Sequence, residues 1–197
     1  MRISGPAQLR PDAEATQAHT SAAATMMSAM AAAFEPDLDA WDAWEPVEVA
    51  QLFAGVEAPW YVAAGWAIDL FLGGKRREHE DLEVAVPRVR FPELAERLAG
   101  YELFVPIGEG RLGPFDAGSE SHQTWVRDRD SGTWRLDVFR EPSDGAVWVC
   151  RRDEQIRMPY TELIRHTHDG IPYLRPDVAL LFKAKAGREK DADDFAA

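Results

Sequence analysis

Residues 60–86, WYVAAGWAIDLFLGGKRREHEDLEVAV, decide the fold that this sequence predicts. WYVAA has the apolar run of a short buried strand, Gly65 interrupts it, and WAIDLFL is predicted to form a helix that ends at Gly73 and Gly74. Backbone N–H groups at a helix start are free, so a strand, a glycine and a helix in this order form an anion site. Strand–turn–helix units without a ligand are also common, so this order alone assigns no function.

The last part of this stretch alternates between polar and apolar residues. In the predicted strand 81–86, Asp81 and Glu83 lie on the face opposite the apolar set of Leu82, Val84 and Val86. Oxygen ligands on one face suit Mg²⁺, which usually takes one or two protein carboxylates together with substrate phosphates. On spacing alone, the solvated face of an antiparallel sheet is the better interpretation of this pattern.

A hairpin is predicted further along the chain. Residues 122–128 and 133–140 have the composition of strands, and DRDSG lies at their junction. In the second strand, Asp137 lies on the face opposite Trp134, Leu136 and Val138. Three carboxylates on two neighbouring strands repel one another unless a cation or a basic partner lies among them.

The chain is predicted to contain one α/β domain with an extension at each end. Residues 1–36 lack apolar periodicity and are predicted to be a flexible or helix-prone tail. Residues 37–175 are predicted to form a small mixed, mostly antiparallel sheet flanked by helices. Residues 176–197 form a C-terminal helical segment, for which Pro176 is a typical start.

Composition narrows the classes of partner. The 197 residues carry a formal charge of −12, from 34 acidic and 22 basic side chains. This charge repels phosphate backbones, which makes nucleic acid an improbable partner, and it attracts a cationic substrate. No run approaches the ~20 apolar residues of a membrane span. The single cysteine, Cys150, excludes an internal disulfide and favours a cytoplasmic location.

Placed in this order, the parts resemble the nucleotidyltransferase superfamily, and within it the aminoglycoside and lincosamide adenylyltransferase-like branch. Three stretches carry the resemblance, which spans roughly residues 58–197: AAGWAIDLFLGGKRREHEDLEVAV, HQTWVRDRDSGTWRLDVF and DGIPYLRPDVALLFKAKAGREKDADDF. The resemblance implies a nucleotidyltransferase-like fold. It also implies metal-dependent transfer of a nucleoside monophosphate, AMP from ATP, to a hydroxyl of a small molecule such as an aminoglycoside-like antibiotic.

The resemblance also implies roles for individual residues. Asp81 and Glu83 would hold Mg²⁺ or Mn²⁺ and, through it, the triphosphate. Asp137 would be the third carboxylate, a metal ligand and the general base on the acceptor hydroxyl. Further candidates for contact with the nucleotide lie in the turn, in the loop before the strand and in the C-terminal segment: Gly65, Trp66, Arg77, His79 and Lys185.

Structural alternatives stay open for several of these candidates. Trp66 suits a core position, and His79 suits a loop that caps a strand. Lys185 continues the inward face of the last helix, either toward an anion or as a stem that carries its charge to solvent. Lys183 lies about 160° away on the helical wheel and is predicted to be on the surface.

Two positions depart from the family pattern. Ala64 stands where the family has the first of two glycines, and an alanine with negative φ would still make the turn. Glu83 stands where the family more often has aspartate, and its extra methylene moves a metal ligand by about one C–C bond, which Mg²⁺ tolerates badly. These departures motivate an alternative, a binding protein on the same scaffold that has lost turnover. A tRNA-modifying toxin would use the same chemistry.

The C-terminal region leaves one further alternative open. The adenylyltransferase-like families usually carry more helices after this point, and those helices shape the acceptor site. Either the chain is truncated, or a second copy completes the acceptor site.

Overall fold

The computed structural model describes residues 36–184 and 188–196. The chain divides into two units, Met1–Pro36 and Asp37–Ala197, and every element named below lies in the second. The predicted tail, except for Pro36, and the candidate Lys185 lie outside the described residues.

The described helices are α1 (Pro46–Leu52), α2 (Ala64–Leu72), α3 (Phe91–Arg97), α4 (Tyr160–Leu163), α5 (Pro176–Lys183) and α6 (Glu189–Ala196). The strands are β1 (Tyr61–Val62), β2 (Glu83–Pro87), β3 (Glu102–Gly108), β4 (Arg111–Pro114), β5 (Gln123–Arg127), β6 (Trp134–Glu141), β7 (Ser143–Asp144), β8 (Val147–Val149), β9 (Arg157–Pro159), β10 (Ile164–His166) and β11 (Pro172–Leu174). A 3₁₀ turn, Arg88–Arg90, joins β2 to α3.

Eight of these strands form one mixed sheet in the order β10-β11-β1-β2-β6-β5-β3-β4. The pairs β1–β11 and β2–β6 are parallel, and the other pairs in this sheet are antiparallel. Strands β7, β8 and β9 form a small second sheet. The prediction of a mixed, mostly antiparallel sheet with helices is therefore confirmed, as is the hairpin of β5 and β6.

Strand β2 lies between β1 and β6, so its two faces differ sharply. Its apolar set, with Leu82 just before it, is fully buried in the core: Leu82, Val84 and Val86. Directly paired residues on neighbouring strands share a face. The opposite face is therefore continuous across three strands, through the pairs Tyr61–Ala85, Glu83–Asp137 and Ala85–Phe139. We call this the site face.

Helix α2 follows β1 and packs against α5 and β11. Gly73 ends α2 with a left-handed φ of +80°, which confirms the predicted stop. Helix α1 begins with Pro46, and reciprocal hydrogen bonds of Glu45 and Glu48 form a capping box there. Within the described residues, each helix is too short or too polar to cross a membrane.

Candidate active site

The turn between β1 and α2 borders the site face. The N–H of Ala63 donates to the carbonyl of Glu83 at 2.8 Å, which fixes the start of the turn beside β2. Ala64 then adopts a φ of +50°, in the left-handed region that favours glycine. The expectation that a negative φ lets alanine make this turn is therefore wrong, and the left-handed conformation costs roughly 1–2 kcal/mol.

Gly65 lies directly under two side chains. A Cβ at this position would lie 2.3 Å from Nη2 of Arg77 and 2.9 Å from Cε1 of His79. Any side chain at position 65 would therefore displace both groups. The absence of a Cβ allows a guanidinium and an imidazole to lie over the first turn of α2, where backbone N–H groups have no partner within the helix.

His79 is held in place from two sides. Its Nε2 lies 2.8 Å from Oδ2 of Asp69, and its ring stacks on Trp66 with centroids 4.4 Å apart. Burial lowers the pKa of His79 although Asp69 opposes this effect, so the imidazole is neutral near pH 7. Asp69 also accepts the N–H of Arg76 at 3.0 Å. Sequence reasoning missed Asp69, although a lone carboxylate in the apolar run WAIDLFL was a usable signal.

Two of the predicted carboxylates lie side by side. Glu83 and Asp137 are direct partners in the parallel pairing of β2 with β6. Burial, with repulsion from Asp81, raises the pKa of Glu83 to about 7. Burial, with repulsion from Glu83, raises the pKa of Asp137 well above its usual range, and the Asp137 residue is only 3% exposed.

Asp81 lies in the loop immediately before β2, which begins at Glu83 rather than at residue 81. It is exposed, and its charge raises the pKa values of both Glu83 and Asp137. The three carboxylates are therefore within electrostatic reach of one another, two on strands and one on a loop.

The carboxylates fit a divalent cation in part. Oδ2 of Asp137 accepts from Nε2 of Gln123 at 2.7 Å, and the indole of Trp125, its partner residue on β5, also stabilises the charged carboxylate; Oδ1 has no described donor within 3.5 Å. A cation would occupy this oxygen and offset the mutual repulsion. Within residues 36–184 and 188–196, there is no cluster of three or more His, Cys, Asp or Glu side chains that could hold a metal ion. The arrangement therefore suits Mg²⁺ that takes most of its ligands from a bound phosphate and water.

Lys183, predicted to be on the surface, is buried. Its Nζ lies 2.8 Å from Oδ2 of Asp194 and 3.3 Å from Oδ1 of Asp191, and its side chain is 7% exposed. The helical wheel was misleading here because α6 covers this side of α5 and supplies both aspartates. The ammonium of Lys183 also opposes the rise in the pKa of Glu83, so it faces the carboxylate pair.

Aspartates of helix α6 pair with further basic groups at the site. Arg188 pairs with Asp191 at 2.9 Å, and together with Lys183 it lowers the pKa of that carboxyl to about 2. Arg77 lies 3.5 Å from Asp194. The predicted residue Arg77 and the unpredicted residues Lys183 and Arg188 therefore share one network of aspartates.

Two adjoining pockets open beside these groups. The turn pocket, of about 210 Å³, brings together most of the predicted residues: Gly65, Trp66, Arg77, His79, Asp81 and Glu83. The β6 pocket, of about 150 Å³, extends along the site face past Tyr61, Phe139 and Glu141. Both pockets are bordered by Ala63, Ala64, Glu83, Lys183 and Arg188. Asp137 is not among the described residues that line either pocket and lies buried next to Glu83.

The chain is similar to known nucleotidyltransferases. Residues 47–105 match the family model for aminoglycoside-2''-adenylyltransferase. This match includes the Gly65 turn, Asp81 and Glu83 and ends before Asp137. No curated protein sequence gives a significant match.

Three solved structures are similar to this chain to different degrees. The lincosamide antibiotic adenylyltransferase LnuA, bound to lincomycin, aligns with a TM-score of 0.53 and 17% identity over 75% of this chain and 90% of its own. ANT(2'')-Ia, an antibiotic-resistance factor, aligns with a TM-score of 0.48 and 13% identity over 76% of this chain and 78% of its own. The Megavirus polyadenylate synthase aligns with a TM-score of 0.47 and 14% identity over 100% of this chain and 39% of its own. The family match therefore covers one segment of the chain, and the alignment with LnuA shows a similar fold.

Proposed function

We propose that the protein transfers AMP from ATP to a hydroxyl of a small molecule in a reaction that requires Mg²⁺ or Mn²⁺. The observation that carries this proposal is the pairing of Glu83 with Asp137 beside the Gly65 turn. Asp137 is buried and Glu83 is partly buried, and both carboxyl groups have raised pKa values, so ionising both is costly without a cation.

The turn pocket supplies groups for the triphosphate. Free N–H groups at the start of α2 and the guanidinium of Arg77 would hold phosphate oxygens. His79, which Asp69 and Trp66 hold in place, would fix the position of the phosphates beside Gly65. Lys185 is proposed as a further phosphate contact because it continues the predicted inward face of the last helix.

The three carboxylates have two roles in the proposed reaction, metal binding and proton transfer. Asp81 and Glu83, with Asp137, would hold the metal ion, which when bound neutralises charge on the α-phosphate and on the pyrophosphate leaving group. The acceptor hydroxyl oxygen forms a bond to the α-phosphorus as the bond to the pyrophosphate oxygen breaks. Asp137 would also accept the hydroxyl proton, in the role of general base.

The acceptor is proposed to be a hydroxyl-bearing small molecule, as in the antibiotic adenylyltransferases that this chain resembles. The matching family model is named for an aminoglycoside adenylyltransferase, and the LnuA structure holds lincomycin. Cys150 is buried as a free thiol, which is consistent with a reaction in the cytoplasm.

The first test is isothermal titration of ATP with Mg²⁺ into the wild type and Asp81→Asn. We expect the substitution to weaken ATP binding at least about tenfold in Mg²⁺, because a ligand carboxylate is lost. Asp130→Asn, in the exposed turn between β5 and β6, is the matched control and should bind like the wild type. Equal affinity of Asp81→Asn and the wild type would exclude the role proposed for Asp81.

A second candidate is a nucleotide-binding protein that has lost turnover. The positive φ of Ala64 and the lack of a ready three-ligand centre in the described region favour it. Release of pyrophosphate separates the two candidates. Mg²⁺-dependent ATP binding without pyrophosphate release for any hydroxyl acceptor would support the second candidate.

A further inference from the structure

The β6 pocket is positioned to receive the second substrate. The turn pocket is lined by the glycine turn and the groups suited to phosphate, and the β6 pocket shares part of its wall with the turn pocket. Glu83 belongs to that wall. A transfer reaction needs donor and acceptor on opposite sides of the reacting phosphorus. With the triphosphate in the turn pocket, an acceptor in the β6 pocket would therefore reach the carboxylate pair.

The outer wall of the β6 pocket carries two guanidinium groups without carboxylate partners. Arg151 and Arg152 form no salt bridge within the described residues, and both are exposed. Arg151 lies over the rings of Phe139 and Phe182 at 5.3 and 5.1 Å, and Arg152 lies over Phe182 at 4.9 Å. Nη1 of Arg152 donates to the carbonyl of Phe182 at 2.8 Å. Guanidinium groups stacked on aromatic faces keep their remaining N–H edges available for an anion.

The nearby carboxylate of Glu141 is already occupied. It accepts the hydroxyl of Tyr61 and, at 2.6 Å, the indole N–H of Trp148. The Glu141 residue is only 7% exposed. It is therefore poorly placed to bind an ammonium group of a ligand. The other carboxylate of the pocket, Glu83, faces Lys183 and belongs to the proposed metal site.

We propose that the β6 pocket is the acceptor subsite and selects a hydroxyl compound that carries an anionic group beside a flat apolar portion, rather than a polycation. This proposal rests on the proposed function, since it assigns the acceptor of the same transfer. Arg151 and Arg152 bind the anionic group, Phe139 and Phe182 contact the apolar portion, and the hydroxyl points toward Glu83 and Asp137.

The test compares three acceptors of one shape: 3-(hydroxymethyl)benzoate, 3-(hydroxymethyl)benzamide and 3-(hydroxymethyl)benzylamine. Binding of each compound to the full chain with Mg²⁺ and a non-hydrolysable ATP analogue is measured by titration, and pyrophosphate release is measured with ATP. We expect the wild type to prefer the carboxylate over the ammonium compound by roughly fivefold or more, the scale of one partly exposed ion pair. Arg151→Glu should remove or reverse this preference.

Arg129→Glu, in the exposed β5–β6 turn, is the control because it changes the net charge equally and should keep the preference. An equal or stronger affinity of the wild type for the ammonium compound overturns the proposal. Reduced ATP affinity in Arg151→Glu with an unchanged acceptor preference also overturns it, since the pocket would then hold the nucleotide. If the proposed function itself were wrong, the protein would not bind ATP in a metal-dependent way, and this result is distinct from the outcomes above.

Discussion

Glu83→Gln should stabilise the ligand-free protein, and the gain should grow with pH. In the folded protein the pKa of Glu83 is raised from its ordinary 4.5 to about 7. The folded state therefore holds this proton more tightly than the unfolded chain between these two values. Folding stability consequently falls as the pH rises through this window, and the loss is complete above pH 7. Glutamine keeps the shape of the side chain and removes the charge.

The magnitude follows from the difference in pKa. Since one pH unit corresponds to about 1.4 kcal/mol, the shift sets an upper limit of about 3 kcal/mol at pH 8. Glu83 is partly exposed in the turn pocket, and water there lowers the cost, so we expect a gain of about 2 kcal/mol. At pH 5 the wild-type side chain is largely protonated in the folded state, so the gain should be below about 1 kcal/mol.

The assay is urea unfolding of both proteins in EDTA at pH 5 and pH 8. Glu96→Gln, which removes an exposed carboxylate of α3, is the matched control and should show no comparable pH-dependent gain. If Glu83→Gln raised the free energy of unfolding equally at both pH values, or lowered it at pH 8, the raised pKa of Glu83 would be refuted. With Mg²⁺ and ATP present, the wild type should become more stable than Glu83→Gln, because only the wild type keeps the carboxylate that binds the metal ion.

Three further substitutions test the turn. Ala64→Gly should raise the free energy of unfolding by up to about 1 kcal/mol, because glycine adopts a φ of +50° without strain; a loss in urea unfolding would contradict this. Gly65→Ala should weaken ATP binding about tenfold or more while circular dichroism stays unchanged, because its Cβ displaces Arg77 and His79; unchanged titration would count against the turn. Asp69→Ala should lower the free energy of unfolding by about 2 kcal/mol, since it leaves the buried Nε2 of His79 unpaired. A loss below about 0.5 kcal/mol, the size expected for a surface substitution, would show that Asp69 does not hold His79 in place.

Local sequence patterns predicted the parts of the site that depend on neighbouring residues. Alternation placed Asp81, Glu83 and Asp137 on polar faces, and the glycines predicted the start and end of α2. The pairing of β2 with β6 is parallel and joins residues 54 positions apart, as with Glu83 and Asp137. Residue spacing alone cannot specify such a register. Only the family resemblance therefore predicted that these two strands are neighbours.

The errors arose where tertiary contacts override a local rule. A helical wheel assigns Lys183 to the surface because it considers one helix at a time, whereas α6 folds back and buries it between Asp191 and Asp194. The turn at Ala64 has its left-handed φ because Ala63 must donate to Glu83 on β2 while the chain reverses into α2. Sequence analysis has no access to either constraint.

Net charge and the lining of the β6 pocket lead to opposite predictions for the acceptor. A charge of −12 predicts a cationic substrate only if that charge acts at the site. At physiological salt, however, charges more than about 8 Å away are largely screened, so a bound molecule responds mainly to nearby groups. In the β6 pocket Arg151 and Arg152 form no salt bridge within the described residues, whereas Lys183 and Arg188 pair with aspartates of α6, and Glu141 is engaged by Tyr61 and Trp148. A metal ion at Glu83 would make this surface more positive still, so the local field favours an acceptor of the opposite sign from the one that composition suggests.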